Sequence, residues 1–132
     1  MSVAKLLIGT VDCVAGKRER FGWTMRLVDS TGARCGLGAS DKVKFRLAST
    51  QSGAASLAFD SSAASANGSS VTINDRGSTT EDASGVVELR ADDTTSLSGT
   101  KYFELDVIDA GDSNREAQPI RGMIRFLGSM SG

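Results

Sequence analysis

In DKVKFRLAS, Asp41 to Ser49, every second residue is apolar: Val43, Phe45 and Leu47 alternate with Lys42, Lys44 and Arg46. A period of two is the period of a pleated strand, so this segment has one dry face and one wet, basic face. The pattern returns along the chain. GWTMRLVD sets Trp23, Met25 and Leu27 against Thr24 and Arg26. No segment carries the sustained apolar repeat every three to four residues that an amphipathic helix needs. The chain is therefore expected to be all-β.

Further strands are expected in AKLLIGTVDCV, in AASLAFD through Leu57 and Phe59, and in SVTIND through Val71 and Ile73. GVVELRA adds Val87 and Leu89, TKYFELDVID adds Phe103, Leu105 and Val107, and IRGMIRFLGS closes with Ile124 and Phe126 inward. Pro119 falls just ahead of that last segment, where a missing amide breaks no ladder. Turn-rich connections separate these runs, which points to an antiparallel β-sandwich of about seven to nine strands. One domain spanning residues 1–132 is expected, with long polar loops near 49–70 and 75–85. Asn67-Gly68 in the first loop is a strong turn dipeptide. Such loops bury little, so they are expected to move unless a partner orders them.

Composition narrows the chemistry. The chain has no histidine, which removes Ser-His-Asp triads, Cys-His pairs and imidazole metal ligands at once. Fifteen Lys and Arg face sixteen Asp and Glu, for a net charge of −1, so nucleic acid is not expected as a partner. No apolar run is long enough to span a bilayer, and the N-terminal LLI is too short for a secretory core. No membrane association is expected, and synthesis in the cytoplasm is. Cys13 and Cys35 lie outside any C-x-x-C spacing and read as buried thiols, with a later bridge left open.

Several stretches look like sites and read better as corners. DSTG, Asp29 to Gly32, is a single copy of an aspartic-protease-like turn, and a lone carboxylate cannot share a proton with a twin. GLGAS, Gly36 to Ser40, matches neither a phosphate loop nor a nucleophile elbow. In DAGDSNRE, Asp109, Asp112, Asn114 and Glu116 are the weak candidates for a hard cation, but they lack the EF-hand spacing. No catalytic residue, cofactor or metal is therefore expected. Two basic groups are candidates for meeting an acidic partner: the stripe Lys42, Lys44 and Arg46, and Lys17, Arg18 and Arg20 of GKRER. Both also fit a plain solvated strand face.

The order of these pieces resembles a domain of tailed bacteriophages, the immunoglobulin-like N-terminal domain of baseplate upper proteins and related virion adaptors. The resemblance rests on WTMRLVDSTG, GLGASDKVKFRL, GVVELRADDTTSLSGTKYFELDVIDA and RGMIRFLG, and runs from about residue 16 to residue 128. The Ser- and Ala-rich insert at 49–70 is not part of that pattern. The resemblance implies a free-standing immunoglobulin-like sandwich in the virion that docks on other virion proteins. The expected partner is the major capsid protein, gripped as a decoration or cement protein, with a tail or baseplate adaptor as the alternative and self-association a further option. Two rivals remain. A carbohydrate- or surface-binding sandwich normally exposes aromatic residues, which make up only 5% of this chain. A carboxylate-pair hydrolase would have DVIDAGD as its one crowded candidate.

Overall fold

The computed structural model describes residues 5–6, 9–108, 116–117 and 120–128. In chain order the strands are β1 (Lys5–Leu6), β2 (Gly9–Val14), β3 (Glu19–Met25), β4 (Leu27–Val28), β5 (Arg34–Cys35) and β6 (Lys42–Ala48). They continue with β7 (Ala55–Asp60), β8 (Ser70–Asp75), β9 (Ala83–Leu89), β10 (Gly99–Ile108), β11 (Glu116–Ala117) and β12 (Ile120–Leu127). One four-residue helix, α1 (Ala91–Thr94), sits between β9 and β10. The fold is all-β, as the alternation requires.

Two larger sheets carry the core. One has the strand order β1-β3-β9-β8 and the other β2-β12-β10-β6-β7. A small third sheet, β11-β4-β5, adds Leu27 to the same core. Their inner faces contribute to a single apolar cluster: Phe21, Trp23, Val87 and Leu89 from the first, Phe45, Leu47, Phe103, Leu105 and Ile124 from the second. Phe45 is fully buried, its ring 5.2 Å from that of Phe59 and 6.1 Å from that of Phe103, in stacked geometry on both sides. Such pairs stabilise beyond the area they bury, by about 0.5–1.5 kcal/mol each.

Three expectations need correction. The sheets are mixed rather than antiparallel, because β1 runs parallel to β3 and β2 runs parallel to β12. Second, AKLLIGTVDCV is not one strand. Gly9, at φ +66°, starts a new one, and the N-terminal segment leaves the first sheet for the second. Third, twelve strands among the described residues exceed the expected seven to nine, since β1, β4, β5 and β11 are two-residue pieces. β7 is the strand expected in AASLAFD, and the connections that follow it run over 61–69 and 76–82. Pro119 lies outside the described residues.

Glycine is required where Trp23 crosses β9. Trp23 and Gly85 are cross-strand partners, and a Cβ on Gly85 would meet the Thr72 carbonyl oxygen and lie 2.7–2.8 Å from the indole. The indole N–H of Trp23 is buried with no hydrogen-bond partner among the described residues. Gly85→Ala is expected to cost about 1–3 kcal/mol through overpacking, and Phe45→Ala about 3–5 kcal/mol through the cavity it leaves. Urea unfolding followed by emission of Trp23, the single tryptophan, checks both; an unchanged midpoint for either would contradict this packing.

Candidate functional site

The two glycine-rich stretches are corners. Asp29 Oδ1 accepts hydrogen bonds from the Thr31 amide at 2.9 Å, the Thr31 hydroxyl at 2.6 Å and the Ala33 amide at 3.1 Å. This Asx turn, with Gly32 at φ +84°, joins β4 to β5. The bonds from Thr31 hold the Asp29 carboxyl below the usual range. Asp60 does the same beside Ser62, its carboxyl lowered by the Ser62 hydroxyl and amide and by Lys42. GLGAS packs on the 76–82 connection. The Leu37 amide donates to the Arg76 carbonyl at 2.6 Å, Arg76 Nη1 donates to the Gly38 carbonyl at 2.5 Å, and Leu37 itself enters the core. A carboxylate spent on its own turn is no free acid or base.

The cation candidates fall mostly beyond view. Asp109, Asp112 and Asn114 lie outside the described residues, and of Glu116 only the backbone in β11 is described. Among the described residues no cluster of three or more His, Cys, Asp or Glu is arranged to hold a metal. Cys13 is buried and Cys35 half-buried, and no disulfide joins them.

The basic stripe of β6 lies on the outer face of the second sheet, where the register sets carboxylates beside it. Lys44 stands between Asp106 and Asp60, and Arg46 is opposite Glu104. Farther along the same face Arg121 Nε donates to Glu104 at 2.8 Å, and Arg125 takes Asp12 in a two-point pair at 2.9 and 3.0 Å. The Asp12 pair raises the Arg125 guanidinium above its usual value. Charges on this face alternate strand by strand. Between them lies a depression of about 480 Å³ walled by Arg46, Gln51, Tyr102, Glu104, Arg121 and Met123. Tyr102 is the one tyrosine, and it is half-buried there.

The second basic group is arranged differently. Arg20 and Glu88 are cross-strand partners on the outer face of the first sheet. Glu88 Oε1 accepts from Arg18 Nε at 2.8 Å and from Arg18 Nη2 at 2.5 Å, with Arg20 Nε 3.7 Å away. Its other oxygen faces Arg90 Nε at 3.0 Å. Three guanidinium groups thus surround one carboxylate whose side chain is only 12% exposed, and the exposed Lys17 adjoins them. Glu88 and Arg90 were not among the expected residues, although their i, i+2 spacing in VELR already puts them on one face.

Helix α1 organises the backbone around this group. The Gly16 amide donates to Thr94 Oγ1 at 3.0 Å, tying the turn before β3. Asp93 accepts hydrogen bonds from Ser65 Oγ at 2.5 Å, from Asn67 Nδ2 at 2.9 Å and from Ser69 Oγ, and the Arg90 amide donates back to Ser69 Oγ at 2.9 Å. The 61–69 connection, expected as a loop with little to hold it, is pinned by one carboxylate. Burial pushes that carboxyl up, but the bonds from Ser65, Ser69 and Asn67 outweigh it and hold Asp93 below the usual range.

Compared with protein families, with curated proteins and with solved structures, the chain matches none.

Because the Asp93 carboxyl has a lowered pKa in the fold, its stabilisation is present above the unfolded value of about 3.9 and is lost as pH falls through the folded value. Asp93→Asn is expected to cost about 1–3 kcal/mol at neutral pH and to flatten the loss of stability below about pH 4. Urea midpoints at pH 7 and pH 3 check this; equal pH dependence in both proteins would show that Asp93 does not carry the acid limb.

Proposed function

We propose that this chain is a non-enzymatic, immunoglobulin-like structural module of a tailed-bacteriophage virion, acting as a capsid decoration or cement protein that docks on the major capsid protein. The observation that carries the fold part is the strand order. β1-β3-β9-β8 and, with β2 added at its edge, β12-β10-β6-β7 are compatible with the A-B-E-D and G-F-C-C′ orders of an immunoglobulin sandwich, which supports that reading. Two features depart from that scheme. β1 and β3 are parallel over their two paired residues. The usual cysteine pair between B and F is replaced by apolar packing, with Phe21 and Trp23 on one strand and Phe103 and Leu105 on the other.

The virion part rests on the sequence resemblance, whose two longest pieces fall on β6 and on β9 to β10, the strands of the sandwich centre. The absence of histidine and the turn-bound carboxylates Asp29 and Asp60 favour docking over chemistry. Fold alone assigns no function. A tail or baseplate adaptor is the second reading, favoured because the sequence resemblance is to baseplate proteins.

Quantitative mass spectrometry of purified particles from the source tests it. A copy number that scales with the shell protein is the expected result. A much lower count, fixed per tail, would move the chain to the tail or baseplate, and its absence from particles would overturn both readings.

A further inference from the structure

We propose that the arginine group at the α1 end of the first sheet, Arg18, Arg20 and Arg90 gathered on Glu88, is the surface through which this chain docks, and that it receives carboxylate side chains from an acidic segment of a partner protein. This rests on the docking reading above and names its contact.

Other arginines in side-chain ion pairs among the described residues are matched singly: Arg34 with Asp82, Arg121 with Glu104, Arg125 with Asp12. Only Glu88 is shared by three. The chain as a whole carries −1; at Glu88 itself three guanidinium groups leave an excess of two positive charges, while the neighbouring Asp93 is taken up by Ser65, Asn67 and Ser69 and Glu19 and the exposed Asp92 adjoin in sequence.

A guanidinium has five N–H groups in a planar fork. Arg18 spends two of its nitrogens on Glu88 and Arg90 spends Nε. Arg20 Nε is buried and has no hydrogen-bond partner among the described residues, since 3.7 Å is too long for one. The side chains of Arg18, Arg20 and Arg90 remain 54%, 39% and 45% exposed. Glu88 holds these partly exposed guanidinium groups together, and a guanidinium fork suits a carboxylate.

The backbone beneath these arginines is held in place. The backbone beneath Arg18 is tied through Gly16 to Thr94, and that beneath Arg90 through Ser69 to Asp93. Gly68, at φ +94°, leaves the room beside which the Arg90 stem lies. Little side-chain or loop freedom is left to lose on binding.

The occupant is protein rather than nucleic acid. A phosphate backbone needs an extended basic track, whereas this patch is compact on an acidic chain, and its field decays within about 8 Å at physiological salt.

The test titrates the whole chain with a hexaglutamate peptide, followed by amide NMR shifts, with inorganic phosphate and a short DNA duplex as comparison probes. Expected are salt-sensitive shifts confined to residues 16–20, 65–69 and 88–90. Binding should weaken roughly tenfold or more in Arg18→Gln/Arg90→Gln. If that variant fails to fold because Glu88 is left unpaired, adding Glu88→Gln removes the buried charge and keeps the comparison. Shifts elsewhere, no binding, or unchanged binding in a folded variant would overturn the assignment, as would tighter binding of phosphate or DNA at the same residues. Particle occupancy separates the two levels. A folded variant that still loads fully overturns this surface alone, whereas a wild-type chain missing from particles overturns the virion reading.

Discussion

The row of rings formed by Phe59, Phe45 and Phe103 lies across three neighbouring strands, and the rest of the structure depends on its register. Phe45 faces Phe59 on one side and Leu105 on the other, with Phe103 one pair along. Strand side chains alternate, so a slip of one residue in β6 would bring Lys44 and Arg46 into this layer. Each buried apolar side chain contributes on the order of 1.5–3 kcal/mol, while an unpaired buried cation costs several. That difference fixes which face of β6 meets the core. It also fixes the cross-strand partners on the outer face, where Lys44 falls between two aspartates and Arg46 beside a glutamate. The inner layer thus decides the outer charge pattern without any outer contact having to specify it.

The same dependence explains what could be read from the sequence. The inward residues of β3, β6, β9, β10 and β12 are legible because alternation is a local signal, and their burial follows it. The corners at Asp29 and Asn67-Gly68 are legible because turn chemistry is local as well. What escaped is non-local. Arg18 and Glu88 are 70 positions apart, and only the pairing of β3 with β9 joins them. Helix α1 is four residues long and has no period to detect. The transfer of the N-terminal segment between sheets turns on Gly9, whose positive φ no alternation pattern reveals. Leu37, placed in a glycine-rich corner, enters the core because Gly36 and Gly77 allow two backbones to approach closely.

Helix α1 is where the fold stops following alternation and begins to assemble something. Its two last residues reach in opposite directions. Thr94 holds the turn that precedes β3, and Asp93 holds the connection that precedes β8. These strands flank β9 in the first sheet. A single helical turn therefore sets the heights of the backbone on both sides of Glu88, and with them the positions from which Arg18 and Arg90 reach it. The corner is built on two carboxylates with separate tasks: Asp93 orders neutral loop donors, and Glu88 gathers cations.

That division bears on why three arginines share one glutamate. One well-placed guanidinium satisfies a carboxylate at this depth, and Arg18 alone supplies two of its hydrogen bonds. Further arginines on a partly exposed face each add roughly 0–1 kcal/mol at best and repel one another. On the outer face of the second sheet the same chain sets Lys44, Arg46, Arg121 and Arg125 each beside a carboxylate of a neighbouring strand. The arginine corner breaks that pattern at the place where the backbone is most firmly tied. An excess of like charge held rigidly at a surface is costly to the isolated domain and favourable to an encounter with an opposite charge. In the proposed docking, the carboxylate that completes this arrangement comes from outside the chain.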